Sequence, residues 1–191
     1  MKTKQLANFF FEAGTMRKLA RSHRQVLLTD DLSDNIASHS YRVTLIAYFL
    51  AQMEHADTEK VLTMAIFHDM AETRSGDQNW VNKKYVKVFD DEITQDQLGG
   101  LTEGGKLLKI MQEYEKRESL EAKIAKDADL LDQILLLKEY VNNGNKEAGV
   151  WLDDKVVQKR LHTDSAKKLS EEIYSADVHD WWWFLWTDKR R

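Results

Sequence analysis

No proline occurs anywhere in the 191 residues, and this absence constrains the fold more than any other feature of the chain. Proline is the residue that most reliably ends or kinks a helix. Glycine, the other common punctuator, is scarce outside Gly99-Gly100 and Gly104-Gly105. Alternation of apolar and polar positions, the mark of a half-buried strand, is hard to find, whereas apolar residues recur at helical spacing. The sequence therefore predicts an all-α fold, one domain over residues 1–191.

Helices are expected over about 4–19, 36–54, 58–67, 106–116, 120–141 and 153–174, the last lying in a helical extension over 150–191. Residues 78–89 read as an exposed amphipathic helix carrying Lys83, Lys84 and Lys87, and residues 90–105 as an acidic, then glycine-rich, surface turn. Asp57 or Thr58, and later Ser119, are placed to cap the helices that follow them. The stretch from Trp181 to Trp186 is expected to pack on the domain or across a dimer interface.

An apolar fraction of 42% with 31% charged residues is that of a globular chain, and 191 residues suffice for a substantial core. A formal net charge of −4 argues against general affinity for nucleic acid. No apolar run approaches the length of a bilayer span, and Phe9-Phe10-Phe11 is too short for the core of a signal peptide. The expectation is a cytoplasmic protein with no membrane partner. Cysteine is absent, so disulfides, thiolate metal sites and thiol nucleophiles fall away together. Any metal must be held by nitrogen and oxygen.

Against that background, the run from Ala65 to Asp77 stands out. His68 and Asp69 close an apolar helix that has no solvation reason to hold them, and a buried charge there needs a partner or an ion. Imidazole nitrogen and carboxylate oxygen together suit a divalent transition ion. Glu72 is expected on the same side, one helical turn beyond His68. His39 falls in the first turn of an earlier helix. On the long helix over 120–141, Asp129 and Asp132 share a stripe and are both candidates to complete the site, while Asp127 points elsewhere. Arg17, Lys18, Arg21, His23 and Arg24 form a basic cluster that could clamp an anion.

His39, His68-Asp69 and a later aspartate resemble the H…HD…D signature of the HD-domain metal-dependent phosphohydrolases. The chain is similar in particular to the small all-helical 5′-deoxynucleotidases. Their HDxxExxxGD block is matched by His68, Asp69, Glu72, Gly76 and Asp77. A second block is matched by Glu113-Tyr114-Glu115, Ser119, Glu121-Ala122, Lys126-Asp127 and Asp129, so that the matched motifs run over 24–140.

The resemblance implies one divalent ion (Mn, Co, Fe, Ni or Zn) on His39, His68, Asp69 and Asp129, with the register set by Lys126-Asp127. It implies proton handling by Glu72 and Asp77, and substrate contacts from Arg24, Gln25 and Lys126. Gln25 stands where the family commonly has a tryptophan that excludes the ribose 2′-hydroxyl. The implied activity is removal of the 5′-phosphate of a nucleoside monophosphate by a metal-activated water. A nucleoside triphosphate hydrolase on the same site, or a nucleotide-binding regulatory module without turnover, are the alternatives, and a homodimer is the implied assembly.

Overall fold

The computed structural model describes residues 3–185, and among them the chain is helical with no strand. In order, the helices are α1 (Thr3–Ala13), α2 (Arg24–Leu27), α3 (Ile36–Met53), α4 (Thr58–Phe67), α5 (Glu72–Ser75) and α6 (Trp80–Tyr85). They continue with α7 (Asp90–Leu98), α8 (Gly104–Lys116), α9 (Leu120–Asn142), α10 (Lys146–Asp153), α11 (Asp164–Ser175) and α12 (Asp180–Trp183). Short 3-10 turns follow α1 and precede α11.

Helix α9 is the axis of the domain. Ile124, Ala128, Leu131 and Ile134 are buried along it, and α3 and α4 pack on it through Val43, Ala47, Leu50, Val61 and Ala65. A Leu131→Ala truncation at this centre is expected to cost about 2–5 kcal/mol, because lost transfer energy and a residual cavity add. Side-chain caps fix where the packed helices start. Asn35 accepts from Ser38 N, Asp57 from Lys60 N, and Ser119 from Ala122 N, each satisfying a backbone donor that the helix leaves open.

Four expectations are corrected. The first helix ends at Ala13 rather than near residue 19, and a 3-10 turn takes over at Gly14. Residues 90–98 are helix, not turn: Asp90, Asp91 and Glu92 occupy the first turn of α7, where carboxylates complement the helix dipole. The glycine-rich step that follows is a close approach. A Cβ on Gly104 would lie 2.0 Å from the Leu98 carbonyl oxygen.

The helix expected over 153–174 starts only at Asp164, and a separate, unexpected helix, α10, ends at Asp153. Buried Asp127 captures the backbone N–H groups of His162 and Thr163 at 2.8 and 2.7 Å, and the Thr163 hydroxyl at 2.8 Å. Thr163 in turn caps α11. Last, α6 is only six residues long and spans a fraction of the amphipathic helix expected over 78–89.

In the aromatic tail Trp181, Trp183, Phe184 and Leu185 are exposed. Trp186 and the basic terminus beyond it lie outside the described residues, as do Met1 and Lys2. No helix among the described residues is long and apolar enough to cross a membrane.

Candidate metal centre

Three helices deliver side chains to one point beside α9. His39 comes from the first turn of α3, at 3% exposure. His68 and Asp69 leave the C-terminal end of α4, which stops at Phe67. Asp129 stands on α9. His39 Nε2 lies 3.3 Å from His68 Nε2, from Asp69 Oδ2 and from Asp129 Oδ1, and His68 Nε2 is 3.1 Å from Asp69 Oδ2. The structure thus brings together all four expected ligands.

The donor set suits a cation. His39 Nδ1 donates to Asp132 Oδ2 at 2.6 Å, and His68 Nδ1 donates to the Ala65 carbonyl at 2.8 Å. Both rings therefore carry a hydrogen on Nδ1 and turn their Nε2 atoms toward each other and toward two carboxylates. In neutral imidazoles those Nε2 atoms are bare lone pairs. Lone pairs and carboxylate oxygens so close repel unless positive charge sits among them. Burial alone would lower the affinity of His39 for a proton, but Asp129, Asp132 and Asp69 raise it well above the ordinary value. Burial would raise Asp129, yet Lys126 and the two histidines hold it well below the carboxylate range. The chemistry and spacing of the donors fit a divalent ion of the nitrogen- and oxygen-liking class.

Asp132, one helical turn beyond Asp129, is an orienting group in this geometry. It receives His39 Nδ1 on one oxygen and Arg42 Nε on the other, and Arg42 Nη1 also reaches Glu139 Oε1 at 2.5 Å. A carboxylate behind a ligating imidazole fixes its tautomer and ring orientation.

A cavity of about 380 Å³ opens beside the ligands, with Asp69, Asp129, Glu72, Asp77 and Lys126 in its wall. Glu72 begins α5 after a turn at Asp69–Ala71, rather than continuing α4. One of its carboxylate oxygens, Oε2, is buried without a hydrogen-bond partner. Burial, then repulsion from Asp69 and Asp77, pushes the Glu72 carboxyl up to about 9. Asp77 is engaged: it accepts from Ser22 N at 2.6 Å and lies 3.5 Å from Arg21 Nε. The turn that carries it back needs Gly76, whose φ of +73° favours glycine. Lys126 Nζ pairs with Asp129 Oδ2 at 2.6 Å.

Arg24 and Gln25 are not part of this cavity. Arg24 Nη2 lies 3.8 Å from Asp30, and the two residues line an open hollow on the outer side of α2. Gln25 accepts from Asn79 Nδ2 at 3.1 Å. Of the basic cluster from Arg17 to Arg24, the member that lines the cavity is Arg21, and Arg21 lines both spaces. Backbone pairing places it there: Arg21 N donates to Asp34 O and Ile36 N to Leu19 O, which ties the segment to the start of α3. Burial would lower the pKa of Arg21, but Asp69, Asp77, Asp129 and Glu72 raise it above its ordinary value. The basic cluster from Arg17 to Arg24 is visible in the sequence; which member turns inward depends on this pairing. Lys83 and Arg117 also line the cavity, and Arg117 stacks on the Tyr114 ring at 3.3 Å.

The HD-domain family model matches residues 16–173. A 5′-deoxynucleotidase of Bos taurus is 27% identical over 177 residues, covering 88% of this chain and 84% of the relative. A 5′-deoxynucleotidase of Vibrio vulnificus is 25% identical over 187 residues, covering 88% and 90%. Among solved structures, a predicted metal-dependent phosphohydrolase of Magnetospirillum magnetotacticum superposes with a TM-score of 0.67 at 23% identity, covering 91% of each chain, and so shares the fold.

Proposed function

This chain belongs to the HD-domain family, and from that premise we propose that it is a metal-dependent phosphohydrolase that removes the 5′-phosphate of nucleoside monophosphates. The observation that carries the reading is the convergence of His39, His68, Asp69 and Asp129 beside a cavity walled by Glu72 and Arg21. We read residues 1–191 as one functional unit working as a homodimer, with a nucleoside phosphate as substrate and no nucleic acid or membrane partner.

His39, His68, Asp69 and Asp129 would hold the ion, one of Mn, Co, Fe, Ni or Zn. When bound it supplies Lewis acidity, lowering the pKa of water and withdrawing charge from a phosphoryl group. The protein's own groups do the rest. Arg21, permanently charged and pressed among carboxylates, offers a planar fork to the phosphate oxygens. It takes the role that the sequence motif pointed to at Arg24. Lys126 neutralises the outer oxygen of Asp129. Asp77 holds the Ser22 backbone and Arg21 in place, which leaves Glu72 as the free carboxyl facing the reacting water. Its position in the cavity wall, with one oxygen unpaired, places it to take a proton from the attacking water when ionised and pass it to the departing ester oxygen, a role worth about 10²–10⁴ in rate.

One observation favours a second reading. Lys83 and Arg117 line the same cavity in addition to the one guanidinium, Arg21, assigned to the phosphate. A triphosphate hydrolase on the same ligands would use them. Product analysis separates the two readings. Orthophosphate released from a nucleoside monophosphate supports the first, and tripolyphosphate or pyrophosphate released from a triphosphate supports the second.

A further inference from the structure

Helix α3 carries His39 and Arg42 inward, and its outer face is left bare. Tyr41, Leu45, Phe49 and Met53 recur at every fourth position and are 70%, 46%, 61% and 51% exposed. Residues four apart on a helix form one continuous ridge. Tyr48 stands beside it, also exposed. The four ridge residues carry no charge, and the one charged residue of α3, which lines the same hollow as Tyr41 and Leu45, is paired. The one arginine of α3, Arg42, turns its guanidinium toward Asp132 and Glu139 on α9.

Large aromatic side chains carry about 150–250 Å² each, so this ridge leaves on the order of 500 Å² of apolar surface in water. That is the upper range of what a monomer shows in one patch, about 300–600 Å². It is also the greater part of the roughly 800 Å² that each partner contributes to a standard interface.

The ridge is symmetric in a way that selects its partner. Tyr41 and Met53 are equally far along the chain from Ala47, and so are Leu45 and Phe49. A two-fold axis passing over the level of Ala47 therefore sets Tyr41 against Met53 and Leu45 against Phe49 of another copy. This is the self-complementary pattern that an isologous dimer needs. Two ridges of fourfold spacing interdigitate at a crossing angle near −50°. We propose that the outer face of α3 is the homodimer interface, packed on the same helix of a second copy.

The assignment rests on the dimer named above but not on the hydrolase chemistry. Light scattering on the full chain at micromolar concentration tests it. The wild type should give twice the 22.3 kDa chain mass, and Leu45→Glu should give the single mass with its helical circular dichroism intact. Because the chain has no cysteine, a Leu45→Cys/Phe49→Cys variant gives a second readout that does not depend on a destabilising charge. Oxidation should link two copies covalently. A wild type of single mass overturns the interface and the dimer together. If the dimer survives in Leu45→Glu, or is lost in Trp181→Ser/Trp183→Ser with no link formed in the cysteine variant, the α3 assignment is overturned while the dimer stands. Phosphate release, measured on the same samples, reports on the hydrolase reading separately.

Discussion

Asp132 Oδ2 accepts the Nδ1 hydrogen of His39 at 2.6 Å, so a residue that is not itself among the converging ligands fixes which nitrogen of His39 faces the metal centre. Arg42, from the next turn of α3, holds the other oxygen of the same carboxylate. Removing the orienting carboxylate frees the imidazole to rotate and weakens its basicity. Asp132→Ala is expected to lower affinity for the ion about 10–100-fold. Asp132→Asn, which keeps an acceptor oxygen, should lose less. Calorimetric titration with Mn²⁺ or Co²⁺ reads the difference, and equal affinity in wild type and Asp132→Ala would refute the role.

Arg21 and Arg24 lie three residues apart and are expected to differ sharply on substitution. Arg21→Ala removes the cation buried among Asp69, Asp77, Asp129 and Glu72. Hydrogen bonds to charged groups contribute about 1.5–3 kcal/mol, so kcat/KM should fall about 10–100-fold. Arg24→Ala, at an exposed pair with Asp30, should change it little. Steady-state kinetics on both variants decides which arginine serves the phosphate, and the opposite ranking returns the role to Arg24.

Glu72→Gln keeps the size of the side chain and removes its ability to exchange a proton. Turnover should drop about 10²–10⁴-fold. The amide cannot carry charge near Asp69 and Asp77, so affinity for the ion should be retained. Loss of metal binding in this variant would instead make Glu72 a ligand.

A pH-dependent term in stability is expected outside the ligand set. Glu12 on α1 accepts from Arg74 Nε at 2.6 Å and Nη2 at 2.9 Å, from Gln97 Nε2 at 2.6 Å and from the Thr73 hydroxyl at 3.0 Å. The bond from Arg74 is the main cause that lowers its pKa from the ordinary 4.5 to about 2. A carboxyl with a depressed folded-state pKa stabilises the fold above its unfolded value and loses that contribution as pH falls through the folded one. The gap in urea midpoint between wild type and Arg74→Ala should be constant near neutrality, then narrow from about pH 4.5 down to pH 2. A gap that holds constant to pH 2 would show that the cluster acts by packing alone.

The histidines, the aspartates and the helical class of this chain are legible because each is written locally. A charged pair at the end of an apolar helix, or a cap before an apolar stripe, is a short-range signal. Arg21 is not written that way. Its neighbours in the sequence include four other basic residues, and the choice among them is made by backbone pairing of Arg21 with Asp34, thirteen positions on. The late start of α11 is equally non-local, because Asp127 on α9 captures the N–H groups of His162 and Thr163 just before it. Helix α7 was legible in principle, since three acids at its start suit a helix N-terminus as well as they suit a turn. What separates the two is packing: Leu98 is buried against α8, and a surface turn has no need of that.

The four-ligand centre is expected to hydrolyse phosphomonoesters only with an ion in place. Phosphate release should be followed on a panel of ribo- and deoxyribonucleoside mono- and triphosphates, with added Mn²⁺ or Co²⁺, with a chelator, and in a folded His68→Ala variant. Orthophosphate is expected from monophosphates in the presence of the ion. Release should be abolished by chelation, restored on adding the ion back, and absent from His68→Ala. If no nucleotide on the panel is hydrolysed with the ion present, or release continues unchanged in His68→Ala, the account is wrong.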